Sequence, residues 1–258
     1  MYNLSALETE LAGSVYAGKL RFAAVTASTN TDAVQAARGG APGGTVYFAD
    51  AQSAGRGRGG HPWQSASGDG LYVSIVVRPR IGQQRWPLIP LCAGLAAMEA
   101  IALTTGLRPD LRWPNDVLLG ERKVCGILVE AGSDDAGSAF AVAGIGINVH
   151  QRDFAGELAT PATSLDIESG SWVSRQQLLV CLLESLQRQI AGLAEEHAPQ
   201  RTLDALESAS TWVRGRQVHV HGPQACTGLT DGLDPHGFLR VITSAGVVTV
   251  QTGGIRAA

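Results

Sequence analysis

The chain has 258 residues, 45% of them hydrophobic and 17% charged, with a formal net charge of −3. That content suffices for one large and one small domain, and a negative balance with no long basic block excludes generic electrostatic binding of DNA or of an anionic membrane. The longest uninterrupted apolar run, residues 88–98, is too short to cross a bilayer, and no basic segment leads into an apolar one at the N-terminus, so a cytoplasmic location is expected.

Residues 4–12 read as a helix with Leu4, Leu7 and Leu11 on one face and a Ser5-x-x-Glu8 capping box. Leu20–Thr26 alternates as a strand, and residues 31–38 read as a helix stopped by Gly39-Gly40. Ser28 and Thr29 stand near its start, where hydroxyls commonly serve as caps. Residues 45–52 and 71–78 are β-rich and flank the loop Gln52-Ser53-Ala54-Gly55-Arg56-Gly57-Arg58-Gly59-Gly60-His61-Pro62-Trp63. Two guanidinium groups and one large aromatic on a glycine-rich backbone suit an anion clamp, since arginine forks phosphate or carboxylate and glycine lets backbone amides approach an oxyanion. A solvated turn or an Arg-Gly nucleic-acid segment has the same composition.

Residues 88–105 form an apolar, alanine-rich helix. Residues 112–130 spell a β-hairpin with its turn at Gly120 to Arg122, which puts Asn115, Asp116 and Lys123 on paired strands. Taken singly, a lysine after a turn is an edge charge and Asn-Asp after proline is turn chemistry. In the strand at residues 139–149, Gly144 and Gly146 remove the side chains from one face and Asn148 follows; such glycines mean tight packing or room for a ligand. Residues 176–196 carry leucines at helical spacing, with Ser174 as cap and Gln177 completing a box. From Trp212 onward the texture changes to short β runs at 217–221, Cys226–Leu233, 237–242 and 247–252, the spacing of a small barrel. The four cysteines, Cys92, Cys125, Cys181 and Cys226, are widely spaced among apolar neighbours and read as buried thiols. His219 and His221 share a strand face, but no third metal ligand accompanies them.

Five blocks in fixed order resemble the bacterial biotin protein ligases: Ser28-Thr29-Asn30, the Gly55-Arg56-Gly57-Arg58-x-Gly60-x-x-Trp63 loop, Trp113-Pro114-Asn115-Asp116, Lys123-x-x-Gly126-Ile127-Leu128-Val129-Glu130, and Gly144-x-Gly146-Ile147-Asn148. The Gly232-x-Asp234-x-x-Gly237-x-Leu239 stretch and the ending Gly253-Gly254-Ile255-Arg256 are similar to the C-terminal domain of the same enzymes. The resemblance implies an α+β fold: a class II synthetase-like mixed sheet, largely antiparallel, with flanking helices over residues 1–210, then a small SH3-like β-barrel over residues 211–258. It implies a form without the N-terminal DNA-binding module of some members, because the pattern starts near residue 20, and hence no specific DNA binding.

Activity and roles follow from the same resemblance. The enzymes activate biotin with ATP to biotinyl-5′-AMP and pass biotin to a lysine of a biotin carboxyl carrier protein domain. Ser28, Thr29 and Gln52 are then expected to hydrogen-bond the ureido group, with Asn30 and Gly57 also at biotin. Arg56 and Arg58 order the loop over biotin and the adenylate phosphate, and Trp63 forms an apolar wall beside the biotin tail or the nucleotide. Lys123 bridges carboxylate and α-phosphate and, with Arg58, is the catalytic expectation. Gly126, Gly144 and Gly146 admit the ring system, while Asn115 and Asn148 reach the nucleotide. Asp116 positions Mg²⁺ or holds the frame of the site. Many members carry another basic residue where this chain has Gly59, His61 and Pro62, so weaker retention of the adenylate is expected.

The chemistry agrees. Acylating a protein lysine with a carboxylic acid requires an electrophile, normally the acyl adenylate, so two anions must meet; Arg56, Arg58 and Lys123 supply cations, and Mg²⁺ neutralises the pyrophosphate. No Ser-His-Asp or Cys-His constellation is evident, in keeping with direct attack of one substrate on the other. A lipoate ligase, a nucleic-acid-binding protein and an inactive biotin sensor are the competing readings. The resemblance leaves a monomer and an edge-to-edge homodimer equally open.

Overall fold

A computed structural model describes residues 2–154 and 160–258 of the chain. α1 (Leu4–Glu10) is capped by Asn3, whose side chain accepts from the Ala6 amide. The expected Ser5 box is therefore displaced by a residue that stands before the helix rather than within it. β1 (Leu20–Thr26) and β2 (Val46–Gln52) pair in parallel, and the crossover between them is α2 (Thr29–Arg38). β3 (Gly70–Val77) runs antiparallel to β2, with every side chain buried. After it, α3 (Ile89–Thr105) ends at Gly106 with φ of 71°, a left-handed conformation that glycine adopts without a steric penalty.

The hairpin forms as β5 (Asp116–Leu119) and β6 (Arg122–Ser133), after the short β4 (Asp110–Arg112) and before β7 (Ala139–Asn148). These strands complete a seven-stranded sheet in the order β1-β2-β3-β7-β6-β5-β4, antiparallel except at β1-β2. α4 (Leu165–Ser169) is a single turn, α5 (Arg175–Gly192) is capped by Ser174 as expected but ends before residue 196, and α6 (Ala198–Ala209) follows. A second, five-stranded sheet contains β8 (Arg214–His221), β9 (Cys226–Leu233), β10 (Leu239–Thr243), β11 (Gly246–Val250) and β12 (Gly254–Ala257), in the order β11-β10-β9-β8-β12.

Strand alternation decides what each face of the large sheet meets. Val73, Ile75, Ile127 and Ile145 belong to the core under α3 and α5, while Val76, Val142 and Phe140 pack on Ala33 and Ala37 of α2. Burying each large aliphatic side chain stabilises the fold by about 1.5–3 kcal/mol. α3 comes close enough to the sheet that a Cβ on Gly94 would lie 2.2 Å from Leu111 Cδ1. With the turn before it, α3 makes a run, Gln83–Thr105, long and apolar enough by composition to span a bilayer. Here it is the central helix of the fold, with most of its residues buried.

The second sheet is fixed on the first body at its β9-β10 turn. Gly237 seats against Leu88 and Leu91, where a Cβ would approach to 2.9 and 2.7 Å, and its carbonyl accepts from Trp113 Nε1 at 3.0 Å. Cys92 and Cys125 are buried and burial pushes the Cys92 thiol up to about 12, whereas Cys181 and Cys226 are only half-buried, contrary to the uniform burial expected.

Candidate active site

Three elements converge on the α2 face of the sheet: the N-terminus of α2, the 53–63 loop, and the centre of β6 and β7. Registration is the local cause. Gly126 of β6 pairs with Gly146 of β7, which also pairs with Tyr72 of β3, and Gly144 lies between Leu128 and Ser74. Glycine at these positions leaves a bare patch of backbone, and α2 begins directly above it. A cavity of about 50 Å³ remains, lined by Ser28, Thr29, Asn30, Gln52, Arg56, Gly57, Arg58, Trp63, Asn115, Lys123, Gly126, Gly144 and Gly146 among others. Residues expected from five separate blocks of sequence thus share one wall.

The bare patch is covered by the protein itself. A Cβ on Gly146 would lie 2.6 Å from Trp63 Nε1 and Cε2, one on Gly126 would lie 2.8 Å from Trp63 Cζ3, and one on Gly144 would lie 2.5 Å from Asn30 Oδ1. Three buried polar atoms there, Ser28 Oγ, Asn30 Oδ1 and Trp63 Nε1, have no hydrogen-bond partner among the described residues. Ser28 is the N-cap of α2, yet its hydroxyl makes no capping bond. An unmet buried polar group costs about 1–3 kcal/mol, and three in one pocket are donors and acceptors prepared for something else. Gln52 and Thr29, by contrast, satisfy each other: the Gln52 carbonyl accepts from the Thr29 amide at 2.9 Å, its Nε2 donates to Ser65 Oγ at 2.8 Å, and Thr29 Oγ1 meets Ser74 Oγ at 2.9 Å.

The loop is a closed turn. Gly57 N–H donates to the His61 carbonyl at 2.7 Å and Trp63 N–H to the Gly55 carbonyl at 2.9 Å. Gly55 admits that return, since a Cβ would sit 2.5 Å from the Trp63 carbonyl oxygen. Each cation around the pocket has a distinct partner. Arg56 is paired with Glu130 at 2.7 Å, and Glu130 also accepts from Asn30 Nδ2. Lys123 Nζ lies 2.5 Å from Asp116 Oδ1 and 5.4 Å from the centre of the Trp63 ring. Arg58 leaves the loop for the second sheet, donating to the Gly253 carbonyl and, at 2.9 Å, to Thr252 Oγ1. Burial pulls the Arg58 pKa below its usual value, and the Asp116 charge acts against that shift.

Asp116 accounts for the stiffness of the Lys123 end. Its second oxygen accepts from Arg112 at 2.6 Å, and Arg112 also donates to Thr160 Oγ1 at 2.8 Å. Burial pushes the Asp116 pKa up, but Lys123 and Arg112 outweigh it and hold the carboxyl below the usual carboxylate range. With both oxygens committed to cations, Asp116 does not fit a magnesium ligand, and no cluster of three or more His, Cys, Asp or Glu suited to a metal occurs among the described residues. Lys123 is also held through its backbone, between the Pro161 carbonyl and the Thr163 amide.

Asn148 departs from expectation. It is buried, it does not line the pocket, and its Nδ2 donates to the Thr163 carbonyl at 3.0 Å, so in this state it ties β7 to the segment that flanks Lys123. Asn115 lines the pocket, with its Nδ2 on the Ile127 carbonyl at 3.1 Å. Ser65 and Ser74 escaped the sequence reading, and Glu130, the last residue of the fourth block, carried no role in it. For Glu130 a signal existed: it follows Gly126 and Leu128 at intervals of two on β6 and so shares their face of the sheet, where it meets the lining residues Arg56 and Asn30.

Residues 22–148 match the biotin/lipoate A/B protein ligase family. The chain is 38% identical over 181 residues to the bifunctional ligase/repressor BirA of Bacillus subtilis, a match covering 68% of this chain and 54% of that protein. It therefore spans about half the length of that relative. It is 31% identical over 242 residues to the biotin--[acetyl-CoA-carboxylase] ligase of Mycobacterium tuberculosis, covering 92% of this chain and 88% of that one. Among solved structures, the biotin protein ligase from Aquifex aeolicus in complex with biotin and ATP superposes with a TM-score of 0.81 at 30% identity, covering 93% of this chain and 100% of that chain.

Proposed function

The chain belongs to the biotin protein ligase family, and from that premise we propose that it activates biotin with ATP to biotinyl-5′-AMP and transfers biotin to a lysine of a biotin carboxyl carrier protein domain. The observation that carries the reading is the pair of unpartnered buried atoms, Ser28 Oγ and Asn30 Oδ1, in one pocket beside Lys123. A ureido group offers one strong acceptor flanked by two N–H donors, so a hydroxyl donor and an amide carbonyl complement it. The dithiolane of lipoate offers none of these hydrogen bonds.

In this reading Thr29 and Gln52, with Gly57 at the loop, shape the ureido end by fixing the wall through Ser65 and Ser74. Gly126, Gly144 and Gly146 admit the bicyclic ring once Trp63 moves off them. Lys123 bridges the biotin carboxylate and the α-phosphate, lowering the repulsion between two anions as they approach. Arg56 and Arg58 cover the adenylate, with Asn115 at the nucleotide; Asn148 reaches it only if it exchanges its bond to Thr163. Asp116 holds Lys123 in place. In the second step the amine of the acceptor lysine attacks the acyl carbon of the mixed anhydride, the amide forms as the C–O bond to phosphate breaks and AMP leaves, and the chain supplies alignment and exclusion of water. The second sheet, starting at Arg214, is proposed as an SH3-like domain at residues 211–258 following a catalytic domain at 1–210, and a cytoplasmic location fits the substrates.

Incubating the chain with ATP and Mg²⁺ and either biotin or lipoate, with mass-spectrometric detection, tests the assignment. Biotinyl-AMP without lipoyl-AMP is expected; lipoyl-AMP alone would move the chain to the sister activity, and neither product from folded protein would refute both.

A further inference from the structure

The three cations around the pocket differ in how their charge is met. Arg56 and Lys123 each rest on a carboxylate, at 2.7 and 2.5 Å. Arg58 makes no ion pair among the described residues; its hydrogen-bond partners are a carbonyl and a hydroxyl, both from the stretch between β11 and β12 of the second sheet. A cation hydrogen-bonded only to neutral acceptors keeps its full charge for an anionic ligand, while its direction is set by those acceptors.

The acceptors are themselves rigidly held. Gly253 has φ of 125°, and a Cβ there would lie 2.1 Å from the His221 carbonyl oxygen, so the strand ends are in contact at this point. β12 pairs with β8 from Gly254 onward. The same sheet is wedged against α3 at Gly237 and bonded to Trp113, the residue that opens the Trp-Pro-Asn-Asp block. The anchor for Arg58 therefore has a fixed position relative to Asn115 and Lys123. Arg58 also stands at a boundary, since it lines both the site cavity and a neighbouring one of about 190 Å³ that contains Gln251 and Phe238.

We propose that Thr252, together with the Gly253 carbonyl, is a positioning element of the adenylation site: it aims the Arg58 guanidinium and so makes the second sheet a determinant of how tightly the loop closes on an anionic ligand. This rests on the ligase reading for the identity of that ligand, but the latch itself is a property of the unliganded chain. Thr252→Val preserves shape and removes the hydroxyl; Thr252→Ser restores it.

Two measurements on the full chain test the proposal. Hydrogen exchange without ligand should show the Gly57 and Trp63 amides exchanging faster in Thr252→Val than in wild type and in Thr252→Ser, with the amides of β6 and β7 unchanged. Steady-state adenylation should show KM for ATP raised by about tenfold in Thr252→Val, the factor expected for one hydrogen bond to a charged group, with kcat less affected and Thr252→Ser close to wild type. In an Arg58→Met background the Thr252→Val effect should vanish. Unchanged loop exchange in Thr252→Val, or the same KM effect with Arg58 absent, overturns the latch. A wild-type chain that forms no biotinyl-AMP refutes the ligase reading instead, and the exchange result then still decides whether Thr252 holds the loop.

Discussion

Replacing Lys123 with alanine separates a charge that acts on substrate from one that holds the fold. Lys123 supplies one of two cations to Asp116; the other, Arg112, stays at 2.6 Å on the opposite oxygen. Stripping a buried carboxylate of its only partner would cost about 3–5 kcal/mol, but here the pair is partly exposed, at 25% and 17% of the side-chain surfaces, and one cation remains. The expected stability loss is about 1–2 kcal/mol, a fall of roughly 2–8 °C in Tm for a chain of this size. Against that, losing a charge aimed at the meeting carboxylate and α-phosphate should lower adenylation by about 10²–10³-fold. The assay pairs pyrophosphate release at saturating biotin and ATP with a thermal scan. Turnover within about threefold of wild type would refute the assignment of Lys123 to charge stabilisation. A collapse of stability by more than about 5 kcal/mol would instead make the lysine a structural ion.

Four further outcomes are expected. Ser28→Ala removes a buried hydroxyl with no partner and should leave the unliganded chain equally or more stable, by up to about 1 kcal/mol, while weakening biotin binding about tenfold; denaturant unfolding and calorimetry read the two effects. Gly146→Ala places a Cβ 2.6 Å from Trp63 and should expel the indole, read as a shift of tryptophan fluorescence with a cost of about 1–3 kcal/mol; an unshifted spectrum counts against the packing described. Because the folded Asp116 pKa is depressed, its stabilisation is complete above the usual carboxylate range and disappears as pH falls below it, so the Tm gap between wild type and Lys123→Ala should be full at neutral pH and close in acid. His61→Arg adds a cation to an exposed loop position and should slow release of the adenylate; an unchanged off-rate would argue that the loop's existing cations suffice.

The strands were legible where one periodicity ruled. Leu20–Thr26 alternates and is β1 over its full length, and the hairpin declares itself because Gly120 supplies the turn, at φ of 60°. α5 was readable from Ser174, which does accept from the Gln177 amide. α6 was missed because Leu203 and Leu206 are too few to mark a stripe before tertiary contact, and β12 because four residues, Gly254 to Ala257, are too short a run to show an alternating pattern. The site was legible as residue types, since paired arginines, a lysine and strand glycines have few uses together. Their present partners were not: nothing in the sequence tells that Arg58 leaves its loop for Thr252, or that Asn148 turns to Thr163, because such choices depend on chain segments about 195 and 15 residues away.

Trp63 lying on Gly126 and Gly146 has a calorimetric consequence. With about 50 Å³ left, room for only a few water molecules, an incoming ring displaces an indole rather than a body of solvent. The apolar area newly hidden from water is then the ligand's own less the indole face set free. The heat capacity change of binding should therefore be smaller in magnitude than the ligand's size suggests, and nearer the full value in Trp63→Ala. Titrations at several temperatures would read the difference directly as a slope of binding enthalpy.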